Sequence, residues 1–465
     1  MKKVNKFIFI IFIFLAILIG CKHEPWVDEA QSWIIARDAS VQEIVWDISR
    51  YEGTFPLWFL TLKLFISLGL DYEYLYIVPI IISAIGLIIF LKKVEAPKYV
   101  KVLLPFTYYV FYQYTIIARS YCYLFLAFSM LAITYKNRKE KTFSYILSLI
   151  FMSFISMHGM IIACGLGLTY FIELVREKKV KKYIWPFVFL GIVTIIECII
   201  LFPRSDLYMT VAASYTIPQI IIDLVNMVIG RGNVFLKIYN VITVILLAVL
   251  FIKLLFIKNK DIPVVMGILF LFMFAIRFAS HHGGIIFLII IFGVIFNYEE
   301  LKEKDKNIDK LFAIVLILYS ILTIFSGIND YNYTYSGAEE MAEYIESNGY
   351  DEKEIFGFGY KTVSLQPYFE ENLYKNMEEA IYRWTYKNED FYIYCNFEKY
   401  DKSYFTEVPE YIVLEWDESD EKLKLIEKYI EESDKYEIEY RTIGYEFFKS
   451  SYSEKECYTL YKLKK

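Results

Sequence analysis

Residues 74–91, YLYIVPIIISAIGLIIFL, decide the fold. The run carries no charge and is closed by Lys92 and Lys93. A membrane helix needs roughly 20 apolar residues, or about 17 at the short end. Comparable runs predict further spans near 6–21, 100–116, 120–135, 143–157, 159–174, 184–202, 235–256, 262–277, 284–297 and 311–326. Over all 465 residues the chain is 57% hydrophobic and 19% aromatic, against about 45–50% apolar for a soluble domain. The expected fold is therefore an α-helical polytopic membrane protein of about eleven transmembrane helices.

Charge divides the chain. Residues 331–465 hold 31 Asp and Glu against 17 Lys and Arg, while the first 330 residues carry a net positive charge. A basic membrane part with an acidic soluble tail implies two domains, 1–326 and 327–465. The acidic tail argues against nucleic acid or anionic lipid as its partner. Within the tail, helices are expected near 336–348, 376–384 and 419–433. Strands are expected at 354–359, 390–396 and 411–415, with a hairpin at 436–447 and 455–462. The tail reads as a small α/β unit. FGFGY at 356–360 is too short for a nucleotide-binding fingerprint and reads as a turn.

Lysine sets the orientation. KNRKEK at 136–141, REKKVKK at 176–182, KLLFIKNK at 253–260 and KEKDKNIDK at 302–310 alternate with connections that lack such clusters. The positive-inside rule puts them and the basic N-terminus in the cytoplasm, which leaves the tail outside the cell membrane. Counting 55–70 as a span would invert every later loop. That stretch is instead expected as a helix in the interface with Lys63 snorkelling. Residues 22–73 then form one outer loop. The start ends in LIGC at Cys21 like a lipoprotein signal, but with so many other spans an uncleaved first span is expected. The six cysteines show no metal-ligand spacing, and Cys395 and Cys457 are the two candidates for an outer disulfide.

Mapped onto this topology, the polar residues collect at one face. Trp26, Asp28, Glu29 and Glu52 fall on the first outer loop, and Arg119 and Tyr121 at an outer span end. His158 lies at an outer turn, Arg204 follows Pro203, and Arg277, His281 and His282 bracket RFASHHGG. A charge at a helix centre costs about 2.5–3.5 kcal/mol on insertion scales, so the grouping implies a polar cavity. Arginine binds phosphate through a planar two-pronged donor set, and a nearby carboxylate accepts a proton from an attacking hydroxyl. Helix-end packing accounts for any single Arg or His; the set argues for an anionic head group on a lipid tail.

The opening, W-x-DEA-Q at Trp26–Gln31 followed by EGTFPLWFLTLKLF at 52–65, resembles the C-type (GT-C) membrane glycosyltransferases. Those include the protein O-mannosyltransferases and the lipid A aminoarabinose transferases. ARSYCYLF at 118–125 is similar to the family's later Arg-x-Tyr segment. Thr54-Phe55-Pro56-Leu57 stands where the family has H-P-P-L, without the histidine. The resemblance implies a polyprenyl-phosphate-linked sugar as donor and a lipid, glycan or protein hydroxyl as acceptor. It implies inversion, with Asp28 as catalytic base and Glu29 beside it. Arg119, Arg204, Arg277, His281 and His282 are the expected donor-phosphate ligands. Trp26, Tyr121, His158 and Glu52 would line the pocket. Asp28 and Glu29 are also a candidate pair for Mg2+ or Mn2+. Three other readings compete. A transporter or flippase calls for paired halves with broken helices, which the sequence does not show. A polymerase or ligase of a lipid-linked saccharide calls for a large late outer loop, for which only 203–234 qualifies. A receptor would use the tail aromatics to stack on sugars.

Overall fold

The computed structural model describes residues 3–205, 234–273, 282–376, 408–416, 421–448 and 451–465. Among them six helices are long and apolar enough to cross a membrane: Lys3–Gly20, Tyr72–Lys93, Met157–Arg176, Val180–Leu201, Val234–Leu255 and Ile308–Asn332. The chain is a helical, membrane-embedded protein with a small sheet near its C-terminus. The expected eleven spans are not all present at full length. Ser120–Tyr135 and Thr142–Ser153 are shorter, Gly283–Phe296 bends by 76° into Tyr298–Lys304, and the expected span 262–277 runs beyond the described residues. At 1.5 Å per residue, 12–16 residues reach only about 18–24 Å of a core about 30 Å thick. The expected tail helix at 376–384, the strand at 390–396, most of the outer loop at 203–234 and Cys395 lie outside the described residues.

The first helix, α1 (Lys3–Gly20), shows the packing logic. Ile8, Phe12 and Ala16 recur every four residues and are buried, with Phe12 edge-on to Phe111 at 5.1 Å. Phe7 and Phe14 on its other sides are 65% and 64% exposed. An apolar stripe inward and apolar side chains outward is what lipid as solvent permits. Between helices inside a bilayer, close backbone approach replaces hydrophobic drive. Helices Ile77–Lys93 and Tyr123–Tyr135 cross at Gly86, where a Cβ would stand 3.0 Å from the Leu126 amide nitrogen.

One expected span fails for a local reason. Residues 100–116 form a helix only to Leu103, then a 3-10 turn at Leu104–Phe106 and a π-helix at Tyr109–Ile116. Pro105 offers no amide and crowds the carbonyl four residues earlier. The helix Leu57–Ser67 is too short to span, in keeping with a helix that does not cross. Lys63 does not snorkel. Its Nζ donates to the carbonyls of Ala36 and Ala39 at 3.1 and 2.8 Å. Those carbonyls end α2 (Val27–Asp38) and have no partner within the helix.

The Lys-rich connections meet at one end of the bundle. Lys136 pairs with Glu95 at 3.0 Å, Arg138 with Glu173 at 2.8 Å and with Asp261 at 3.5 Å, and Lys253 with Asp305 at 2.6 Å. At the other end Ile308–Asn332 continues past the expected boundary at 326 and leads into the tail. The tail sheet has the order β1-β2-β6-β3, from Ile355–Phe358 (β1), Tyr411–Trp416 (β2), Tyr436–Thr442 (β3) and Cys457–Leu463 (β6). β1 and β2 run parallel; the other pairs are antiparallel. Tyr445–Phe448 (β4) and Ser451–Glu454 (β5) form a hairpin nested between β3 and β6. Side chains alternate along β2: Ile412 and Leu414 face helix Glu421–Glu432, while Tyr411 and Val413 face helix Ala338–Ser347. The second layer also takes in Ile34 of α2. The tail core is thus closed by a helix of the membrane part.

The Gly86 crossing gives a test. Gly86→Leu forces apart two helix backbones and should cost about 1–3 kcal/mol, read as a lower unfolding temperature in detergent. Gly191→Leu, where a Cβ meets nothing within 4 Å, should leave that temperature unchanged. Equal behaviour of the two variants would contradict the close approach.

Candidate functional site

The site forms where the π-helix ends. Ile117 leaves it in extended conformation, and Arg119 has φ −132° and ψ 164° before the chain re-enters a helix at Ser120. Ile117 still bonds back to Tyr112, and the Arg119 carbonyl opens the next turn, so the buried Ala118 amide is the one left without a helical acceptor. A buried amide without an acceptor costs about 1–3 kcal/mol. Glu29 supplies the acceptor: its Oε1 takes the Ala118 N–H. Its other oxygen takes the Trp26 N–H at 3.3 Å and faces His23 Nε2 at 3.1 Å. His23 Nδ1 reaches Asp330 Oδ1 at 3.4 Å, and Tyr335 packs edge-on against the same ring at 4.4 Å. His23, Glu29 and Asp330 are 6%, 1% and 3% exposed, so these charges are settled among themselves. Burial opposes the charged His23 ring, but Glu29 and Asp330 outweigh it and raise its pKa well above the usual value.

Asp28, one residue earlier on α2, meets Arg119, one residue later on the break. Arg119 Nη1 lies 3.0 Å from Asp28 Oδ2, with the side chains 22% and 30% exposed. The guanidinium stands over Trp26 at 5.7 Å and Tyr121 at 5.5 Å from the ring centroids. Tyr121 Oη is 2.9 Å from His282 Nε2, and the His282 and His158 rings are 4.2 Å apart. Ser156 caps the helix carrying His158 by accepting the Gly159 N–H at 3.2 Å. Glu52 is held by Gln31 Nε2 at 2.8 Å. Burial raises the Asp28 carboxyl above its ordinary value, and Arg119 opposes the rise. Burial, and then the neighbouring Asp28 charge, push Glu52 well above the usual carboxylate range.

Seven of the expected residues thus come together: Trp26, Asp28, Glu52, Arg119, Tyr121, His158 and His282. Glu29 adjoins them but is turned into the buried network, so Asp28 and Glu29 do not present a pair of free carboxylates. Among the described residues no group of three His, Cys, Asp or Glu has the arrangement to hold a metal ion. Arg204 stands apart. It is exposed at a span end, where its Nη2 pairs with Asp47 Oδ1 at 2.7 Å and the guanidinium lies over Tyr51. Arg277 and His281 lie outside the described residues.

Sequence reasoning missed the tail's share. Glu456 takes the Val27 N–H at 2.8 Å, and Glu446 and Lys455, paired at 2.8 Å, act on the Asp28 carboxyl from the tail side. No local signal points to them, because they lie more than 400 residues downstream. Asp330 left one trace, as an acid at the end of an apolar run. No protein-family model, curated protein or solved structure matches the chain.

The His23 network predicts a pH-dependent stability. A histidine whose folded pKa is raised contributes fully below its unfolded value of about 6.5, and the contribution fades as pH rises through the folded value. His23→Ala strands two buried carboxylates and should cost about 3–5 kcal/mol near neutral pH. Unfolding temperatures of wild type and variant should converge as the pH is made alkaline. A gap that widens with pH would contradict the network.

Proposed function

We propose that the chain is a membrane glycosyltransferase of the GT-C type, moving a sugar from a polyprenyl-phosphate donor to an acceptor hydroxyl with inversion. One observation carries this reading: a partly open carboxylate with a raised pKa, ion-paired to an arginine that two aromatic rings support, at the end of the bundle opposite the Lys-rich connections. By the positive-inside rule that end faces away from the cytoplasm. The donor is then consumed on the outer face, beneath the tail.

The chemistry follows from the pair. In the free protein Asp28 and Arg119 neutralise each other. A donor phosphate competes for the guanidinium and accepts its two-pronged hydrogen bonds. Asp28 is then released towards the acceptor. The acceptor oxygen attacks the anomeric carbon, and the carbon–oxygen bond to phosphate breaks on the opposite side. The electron pair leaves with the phosphate, and Asp28 takes the hydroxyl proton. The leaving phosphate needs cationic stabilisation rather than a proton, and Arg119 supplies it. Trp26 and Tyr121 hold the guanidinium by cation–π contact while it changes partner. Mg2+ or Mn2+ joining the donor phosphate would take Asp28, and not Glu29, as its protein ligand. The acceptor is a lipid, glycan or protein hydroxyl that approaches the part-exposed Asp28 side chain.

The reading is tested with purified protein and a panel of polyprenyl-phosphate sugars, scored by release of polyprenyl phosphate and formation of a glycosidic bond. Asp28→Asn should fold normally and lose about 10²–10⁴-fold in rate. Arg119→Ala should lose about 10²–10³-fold. Because the base must be ionised, the rate should fall on acidification with a midpoint above about 3.9. Arg119→Ala should move that midpoint higher, since the arginine holds the Asp28 pKa down. Transport of the donor with no glycosidic bond broken, or an Asp28→Asn variant of full activity, would refute the assignment.

A further inference from the structure

The helix that carries Asp28 caps itself only in part: Glu29 reaches back to the Trp26 N–H at 3.3 Å, and the Val27 amide is left to an acceptor from elsewhere. Its N-cap position is Trp26, and no cap bond runs from that side chain to the first turn. The first amides of a helix lack acceptors within it, and Ser, Thr, Asp or Asn at the N-cap commonly provides one. Here the Val27 amide donates instead to Oε1 of Glu456 at 2.8 Å, from the far end of the chain. Glu456 is 2% exposed. Its other oxygen accepts from Ser336 Oγ at 2.7 Å and Ser364 Oγ at 3.4 Å, and its carbonyl accepts the Gly337 N–H at 3.1 Å. Its φ of +54° lies in the left-handed region, uncommon for a residue with a Cβ. Strain of this kind persists only where the surroundings over-determine it. Here the turn brings the carboxyl onto the start of α2. The neighbouring Lys455 and its partner Glu446 act on the Asp28 carboxyl through their charges.

We infer that Glu456 is a positioning residue of the Asp28 site: by capping α2 from the tail it fixes where that helix begins, and so the geometry in which Asp28 meets Arg119. The inference rests on the reading of Asp28 as proton acceptor. It assigns the tail a part in the reaction that involves no contact between Glu456 and the sugar.

Full-length protein in detergent tests this with two readouts that need no turnover. One is hydrogen exchange at the amides of residues 27–30. The other is the pH midpoint of carbodiimide labelling at Asp28, followed by mass spectrometry. Glu456→Ala should speed exchange at 27–30 by about tenfold or more, with β2 and β6 unaffected. It should also raise the Asp28 midpoint by about half a pH unit, as the ion pair with Arg119 loosens. Glu456→Gln keeps an acceptor oxygen and should stay within about threefold of wild-type exchange with no shift in midpoint. Unchanged exchange in the alanine variant would overturn the inference. So would protection lost equally over the whole tail sheet with the Asp28 midpoint unmoved, which is the signature of a merely structural residue. A protein that shows both local shifts yet cleaves no sugar donor would refute the transferase and leave the cap standing.

Discussion

Glu29 is the constraint on which the rest of the molecule depends. Its carboxylate binds the Ala118 amide, the Trp26 amide and His23, and through His23 it is tied to Asp330. Four parts of the chain are thereby fixed at one point: the end of α1, the start of α2, the break after the π-helix and the end of the last long helix. Removing one member of a buried charged set is far costlier than an exposed pair is worth. The pairing is also in register. Glu29 takes residue 118 and Asp28 takes residue 119, so adjacent residues on α2 meet adjacent residues on the break. Fixing the first pair leaves the second little freedom. A stable, buried interaction thus sets the place of a part-exposed one.

This division of labour between neighbouring acids sets limits on the chemistry. An acid wholly engaged inside the fold cannot also serve substrate, and Glu29 is engaged at both oxygens. Asp28 has one arginine, two aromatic rings behind that arginine, and a side chain still 30% exposed. The chain Arg119, Tyr121, His282 and His158 extends the polar wall inward from the ion pair. From the tail, the Glu446–Lys455 pair acts electrostatically on the Asp28 carboxyl, while Ile34 of α2 enters the tail core. The site thus sits at the junction of membrane part and tail and belongs to both.

How much of this the sequence could tell depends on how local each cause is. Apolar runs and lysine clusters are local, and they located the six long helices and the end of the bundle where the Lys-rich connections meet. β2, the helices of residues 338–347 and 421–432, and the antiparallel pairing of β3 with β6 also follow from local periodicity, whereas the β4–β5 hairpin between those two strands does not. Pro105 was visible in 100–116 but hydropathy averages over it, so the run read as a span and folded as a broken one. Span length failed for the same reason at 142–153 and 283–296: composition reports apolarity, not where a cap or bend ends a helix. Asp28 and Arg119 were legible because polar residues at the edge of lipid are costly and therefore few. The different roles of Asp28 and Glu29 were not, since they turn on a backbone break ninety residues away. Arg204 looked equivalent to Arg119 in sequence, yet Asp47, on a separate turn of the loop, takes it.

The central claim is that Arg119 trades Asp28 for the donor phosphate. Its most direct test is an experimental structure of the protein bound to a non-cleavable polyprenyl-phosphonate sugar. The account predicts that the phosphonate sits on the Arg119 guanidinium between Trp26 and Tyr121, with Asp28 released from the pair and facing the anomeric carbon. A phosphonate bound elsewhere, with the Asp28–Arg119 contact of the free protein intact, would contradict it.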